Sequence, residues 1–138
     1  MEVFVDCWEG RRDGLLATIE RFEDIEAWKK ARLLVQRIYE VSQTGKFKTD
    51  YGFRDQIRRA AVSIMANIAE GFGRNSDKAF ANYLNIARGS AAETQSLLYV
   101  ALDQEYIDRK AFGSLHKGCE EISKMTVSFS SYLRKKRL

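Results

Sequence analysis

Residues Asp55 to Arg74 read DQIRRAAVSIMANIAEGFGR. In and just ahead of this stretch, Phe53, Ile57, Ala60, Ala61, Ile64, Ile68 and Phe72 recur at three- and four-residue steps. That is the period of an α-helix with an apolar face. A second apolar set, Val62, Met65, Ala69 and Phe72, falls on another side of the same helix, and between Ala60 and Ala69 only Ser63 and Asn67 are polar. A surface helix needs one apolar stripe; a helix apolar on nearly all sides is expected to be covered on nearly all sides. The economical cover is another copy of the chain, so Val62, Met65, Ala69 and Phe72 are expected at an oligomer interface. Gly71 and Gly73 read as the glycine end of this helix, which spans about 51–71.

Upstream, Ile25, Trp28, Ala31, Val35, Ile38 and Ser42 keep the helical period, with Asp24 as the expected N-cap and Thr44-Gly45 as the stop. This predicts a helix over about 24–43, then a short polar connection from Lys46 to Tyr51 in which Asp50 can cap the next helix. Downstream, Asn75 or Ser76 suits an N-cap. Phe80, Tyr83/Leu84, Ala87, Ala91, Thr94, Leu98 and Ala101 then mark a helix over about 76–104. Within it Ala87, Gly89, Ser90, Ala91 and Ala92 are small. A glycine inside a helix costs ~1 kcal/mol against alanine, so Gly89 is expected to have a packing reason and joins the interface residues. From Asp108, the residues Phe112, Leu115, Cys119, Ile122, Thr126, Phe129 and Leu133 alternate steps of three and four, predicting a helix over about 108–135. Short loops make neighbouring helices antiparallel. The expected fold is all-α: an antiparallel up-down-up-down four-helix bundle over 23–138, with residues 1–22 as an N-terminal appendage. In that appendage Leu15, Leu16, Ile19 and Phe22 suit a short helical turn, and Val3, Phe4 and Val5 an extended piece.

The whole composition agrees with helices. The 138 residues suit one domain of ~100–200. With 45% apolar and 30% charged residues the chain is neither disordered nor a membrane protein. It has no proline, the residue helix interiors exclude most strongly. No secretory signal and no apolar run of ~20 residues is visible. Cys7 and Cys119 form neither a metal pair nor a disulfide framework, which suits a reduced, cytoplasmic chain. Charge is uneven: residues 1–22 hold five acids and three bases, and the remainder holds 20 bases and 14 acids, a net +6.

The sequence carries no motif for catalytic or metal chemistry. The lone His116 has no second histidine for a metal site, and no Glu-x-x-His pair marks a di-metal bundle. Gly71-Phe72-Gly73-Arg74 lacks the spacing of a nucleotide loop. No catalytic residue, metal or cofactor is expected; an enzyme would have to build its site from Glu93, Asn67, Glu70 and arginines. Cys119 and Trp28 read as packing residues. Glu93 is expected to pair with Arg58 or Arg59, against a local Asp55–Arg59 pair as the alternative. What remains is positive charge: Arg54, Arg58, Arg59, Arg74, Lys78, Arg88 and the tail Arg134-Lys135-Lys136-Arg137. Such side chains can hold RNA or DNA phosphates without reading bases. The competing reading is an adaptor that docks a polymerase or other host protein through an apolar patch.

Three stretches carry a family resemblance: Asp55 to Arg74 above, Phe22-Glu23-Asp24-Ile25-Glu26-Ala27-Trp28-Lys29-Lys30-Ala31, and Tyr83-Leu84-Asn85-Ile86-Ala87-Arg88-Gly89-Ser90 followed by Glu93. Over about residues 22–133 the chain resembles the bacterial four-helix-bundle proteins encoded in intervening sequences of 23S ribosomal RNA genes. The accessory variability determinants of diversity-generating retroelements are related to these. The resemblance implies a ring-shaped homopentamer, with nucleic acid and a reverse transcriptase as partners in the accessory branch. Arg58, Arg59, Asn67, Glu70, Gly71, Arg74, Gly89, Ser90 and Glu93 match the family pattern. The family usually has proline where Met65 stands, so a weaker kink is expected here.

Overall fold

The computed structural model describes residues 19–135. A 3-10 turn at Phe22–Asp24 leads into α1 (Glu26–Val41), a short α2 (Gly45–Thr49), α3 (Tyr51–Phe72), α4 (Asp77–Asp103) and α5 (Arg109–Lys135). The long helices pack in a closed cycle, α1 on α3, α3 on α4, α4 on α5 and α5 on α1. Their directions follow from cross-helix pairs. Ser63 shares a hydrogen bond with Ser90 at 2.9 Å, while Gly71 lies against Phe80 and Tyr83, so α3 and α4 are antiparallel. Phe80 meets Phe129 and Tyr99 meets Phe112, which opposes α4 and α5. Lys30 reaches Glu121 and Arg37 reaches Ser114, which opposes α1 and α5. The fold is an up-down-up-down bundle. No helix among the described residues is long and apolar enough to cross a membrane.

The apolar stripes read from the sequence form the core. On α4, Phe80, Leu84, Ala87, Ala91, Thr94, Leu98 and Ala101 are all buried. Small alanines fill the middle of the bundle and aromatic rings its ends, Phe72, Phe80 and Phe129 at one pole and Phe47, Phe53 and Tyr106 at the other. The caps on Asp50, Ser76 and Asp108 are in place, each side chain accepting a backbone N–H three residues on. At the end of α4, Glu105 takes a left-handed conformation (φ 60°), and the Tyr106 N–H closes back on the Ala101 carbonyl at 2.8 Å.

Several expectations need correction. Asp24 does not cap α1: Ile25 holds that position, and the Asp24 carboxylate accepts the N–H groups of Glu20 and Arg21 instead. The connection from Lys46 is not a plain polar loop. Phe47 is fully buried and winds residues 45–49 into α2, because an aromatic ring there can complete the pole of the core. Gly73 does cap α3, as expected, but in a right-handed conformation at φ −74° and not by a left-handed turn. Gly71 serves packing: a Cβ there would stand 2.6 Å from Tyr83 Cβ and 2.9 Å from Phe80 Cδ1. Helix α3 runs unbroken across Met65, which keeps the N–H that a proline would lack. Ile19 is already buried, ahead of the expected start of the bundle at 23. Residues 1–18, including Val3, Phe4, Val5, Leu15 and Leu16, lie outside the described residues.

Cys119 is buried on the α5 seam, and burial pushes its thiol up to about 12. A thiol so protonated and covered is a poor nucleophile. In a Cys7→Ser variant, iodoacetamide at about pH 8 is expected to leave native Cys119 unlabelled and to label it on denaturation. Prompt labelling of the native protein would show that the α5 seam is open.

Candidate nucleic-acid interface

The structure divides the ten cations singled out in the sequence. Arg54, Arg58 and Arg59 lie in the first half of α3. Arg74 follows α3, twenty residues from Arg54 and ~30 Å along the helix axis. Arg88 is exposed in the middle of α4, away from both groups. Lys136 and Arg137 lie outside the described residues. No single patch on one chain gathers all of them.

At the pole where α3 turns into α4, two arginines from different parts of the chain meet one turn of α4. Arg74 Nη2 donates to the Tyr83 hydroxyl at 2.7 Å and to Glu70 Oε2 at 2.9 Å. Its guanidinium also lies over the Tyr83 ring, 5.1 Å from the centroid. The Tyr83 hydrogen bond first, and the Glu70 carboxylate after it, raise the Arg74 pKa above its ordinary value. Next to Tyr83, Asn82 Oδ1 accepts from Arg134 Nη2 at 3.3 Å. Lys78 is exposed one turn before Asn82, and Lys135 is exposed beside Arg134. Gly71 makes this possible. Without a Cβ it lets Tyr83 close on α3, which places the hydroxyl against Arg74.

The other group is used differently. Arg54 Nε pairs with Asp55 Oδ1 at 3.1 Å, its Nη1 donates to the Lys48 carbonyl, and it lies over Tyr51. Arg58 Nε donates to the Ser42 hydroxyl at 2.8 Å, and its guanidinium lies 4.3 Å from the Tyr39 ring centroid. Ser42 is buried, and its hydroxyl donates a hydrogen bond to the Ile38 carbonyl. The expected pair of Glu93 with Arg58 or Arg59 does not form: Glu93 is exposed on α4, while Arg58 turns towards α1. Asp55 is taken by Arg54, so the local alternative with Arg59 is absent as well. Glu70, Asn67 and Glu93 do not converge either. Glu70 binds Arg74, and the Asn67 amide donates to Ser63.

The interface residues separate in the same way. Phe72 is buried in its own chain, edge-on to Phe80, and has no surface left for a second copy. Met65 and Ala69 are half-buried. Val62 is 37% exposed, and Gly89 is exposed with nothing within 4 Å of where a Cβ would stand. Ile86, 51% exposed on α4, was not singled out in the sequence, because its place in an otherwise regular stripe carries no mark.

A family model described as the 23S rRNA-intervening sequence protein matches residues 23–128. The chain belongs to this family. The chain is also similar to a solved structure, that of a protein with unknown function from the S23 ribosomal protein family of Bacteroides thetaiotaomicron. It shares 30% identity with that protein at a TM-score of 0.70, over 76% of this chain and 95% of the other. No curated protein matches the chain. The family match takes in Glu70, Gly71, Arg74, Lys78, Asn82 and Tyr83, and stops short of Arg134 and Lys135. The Arg74 half of the pole is therefore family sequence, and the Arg134 half lies beyond the matched stretch. Tyr83 and Asn82, which hold the two arginines, were missed as site residues because their role depends on which helix faces them.

Proposed function

We propose that this chain is a non-enzymatic, homo-oligomeric basic bundle that binds nucleic acid, with structured RNA as the preferred form, as a cytoplasmic accessory factor. The observation that carries the reading is the pole. Asn82 and Tyr83 hold Arg134 and Arg74 from two other segments on one turn of α4, with Lys78 and Lys135 exposed beside them. Arginines held by side-chain hydrogen bonds lose less freedom when they meet a phosphate. The family's link to 23S ribosomal RNA intervening sequences favours RNA as the partner. Self-association has its own support. Val62, Ile86 and Gly89 are exposed, and among the described residues nothing lies within 4 Å of where a Cβ at Gly89 would stand. By resemblance the assembly is a pentamer.

Two measurements test this. Light scattering on the size-exclusion peak is expected to give a mass several times the 15.9 kDa of one chain. Fluorescence anisotropy with a labelled RNA hairpin is expected to show affinity falling steeply as salt rises, by about 0.7–0.9 in log–log slope per phosphate neutralised. The double variant Arg74→Ala/Arg134→Ala is expected to weaken binding across all sequences and to flatten that slope by about two. Affinity indifferent to salt would sink the phosphate reading. It would favour the adaptor instead, with a polymerase such as a reverse transcriptase docked on the apolar surface around Ile86.

A further inference from the structure

On the side of the bundle where α1 meets α3, three arginine–aromatic pairs follow one another. Arg32 lies over Trp28 (5.9 Å), Arg58 over Tyr39 (4.3 Å) and Arg54 over Tyr51 (5.0 Å). Trp28, Arg32, Val35 and Tyr39 recur at helical spacing and so share one face of α1. Arg58 reaches from α3 to Tyr39 and Ser42, which sets that face beside α3. Arg54 precedes Arg58 by one turn, ~6 Å, and Trp28 lies ~16 Å from Tyr39 along α1. Beside Tyr39, on the outer surface of α1, is an open hollow of about 540 Å³ lined by Leu33, Val35, Gln36, Tyr39 and Glu40.

We infer that this α1–α3 face is a stacking track for the unpaired bases of a nucleic acid. The inference rests on the nucleic-acid reading above and names the form of nucleic acid that this second surface takes. A guanidinium laid on a ring has a second flat face, which a base can cover. The terminal nitrogens of Arg58 have no hydrogen-bond partner among the described residues, and Arg32 has no ion pair there. Charge on the track favours a polyanion: Arg32, Arg58, Arg54 and the neighbouring Lys48 stand against Glu40 and Asp55, and Asp55 is already paired with Arg54. Bases inside a duplex present no free face, so only unpaired nucleotides can use such a track. Tyr51 is 63% exposed and Tyr39 is 37% exposed, so both rings are reachable from solvent.

The test compares a labelled RNA hairpin that carries an unpaired oligouridine tail of about twelve nucleotides with the same hairpin without the tail, by anisotropy at one salt concentration. A Trp8→Phe background leaves Trp28 as the fluorescent tryptophan. The tailed hairpin is expected to bind about tenfold more tightly than the blunt one and to quench Trp28. Tyr39→Ala is expected to weaken binding of the tailed hairpin by about fivefold or more and to leave binding of the blunt one unchanged. Tyr39→Phe, which keeps the ring, is expected to retain it, so a variant that merely unfolds is recognised. Equal affinity for both probes with no effect of Tyr39→Ala would overturn the track and leave the pole standing. A Tyr39→Ala chain whose mass falls in light scattering would overturn it too, in favour of a second copy seated on this face. Binding of neither probe at low salt would remove the track and the nucleic-acid reading together.

Discussion

Phe47→Ala is expected to destabilise the bundle by about 3–5 kcal/mol, more than any change at the basic pole. Phe47 has no exposed surface, and its ring packs on Phe53 (5.5 Å between centroids) and Tyr106 (5.2 Å). Helix α2 has five residues, too few to hold together by backbone hydrogen bonds alone. Its buried ring is what fixes it. The same ring supports a polar tie: Asp50 accepts the Phe53 N–H with one carboxylate oxygen and the Tyr106 hydroxyl with the other, at 2.7 Å. Removing the ring leaves a cavity between the α2–α3 and α4–α5 junctions, and with it the support for that tie. Domains are stable by only about 5–15 kcal/mol in total, so much of the margin is lost. Urea unfolding followed by circular dichroism measures it. A midpoint equivalent to less than about 1 kcal/mol from wild type would show that α2 is a detachable turn and not part of the core.

Gly71→Ala has the next largest expected effect, about 2 kcal/mol or more of destabilisation, against the usual preference of helices for alanine. In an open helix interior the exchange would stabilise by about 1 kcal/mol. Here the new Cβ would stand 2.6 Å from Tyr83 Cβ and 3.3 Å from the Phe80 carbonyl oxygen, so α3 and α4 must separate. Separation also draws the Tyr83 hydroxyl from Arg74, so the variant is expected to weaken nucleic-acid binding beyond its loss of stability. Gly89→Ala is the control. Nothing lies within 4 Å of its Cβ position, so the lone chain is expected to gain up to about 1 kcal/mol. A Gly71→Ala chain that melts no lower than wild type would refute the packing account of Gly71.

The long helices were legible because each repeats its apolar residues over several turns. Phe80 to Ala101 on α4 and Leu115 to Leu133 on α5 leave no other secondary structure that buries them. Short segments were not, for the converse reason. One buried residue, Phe47, establishes α2, and a single residue has no period. The caps divided in the same way. Ser76 and Asp108 act on N–H groups three residues ahead, a local event, whereas Asp24 was drawn off by the turn at Glu20 and Arg21.

The site was legible as residue types and not as places. Linear order shows that the chain is basic, that Arg74 follows a glycine-bearing helix end and that Arg134 sits in a basic tail. It joins Arg58 to Glu93 as readily as to Ser42. Helical periodicity, which depends only on neighbours three and four residues apart, was enough to establish an all-α bundle. The azimuth of each helix about its own axis depends on packing against its two neighbours. That azimuth turned Arg58 to Tyr39, buried Phe72 in its own chain, and brought Arg74 and Arg134 onto one turn of α4.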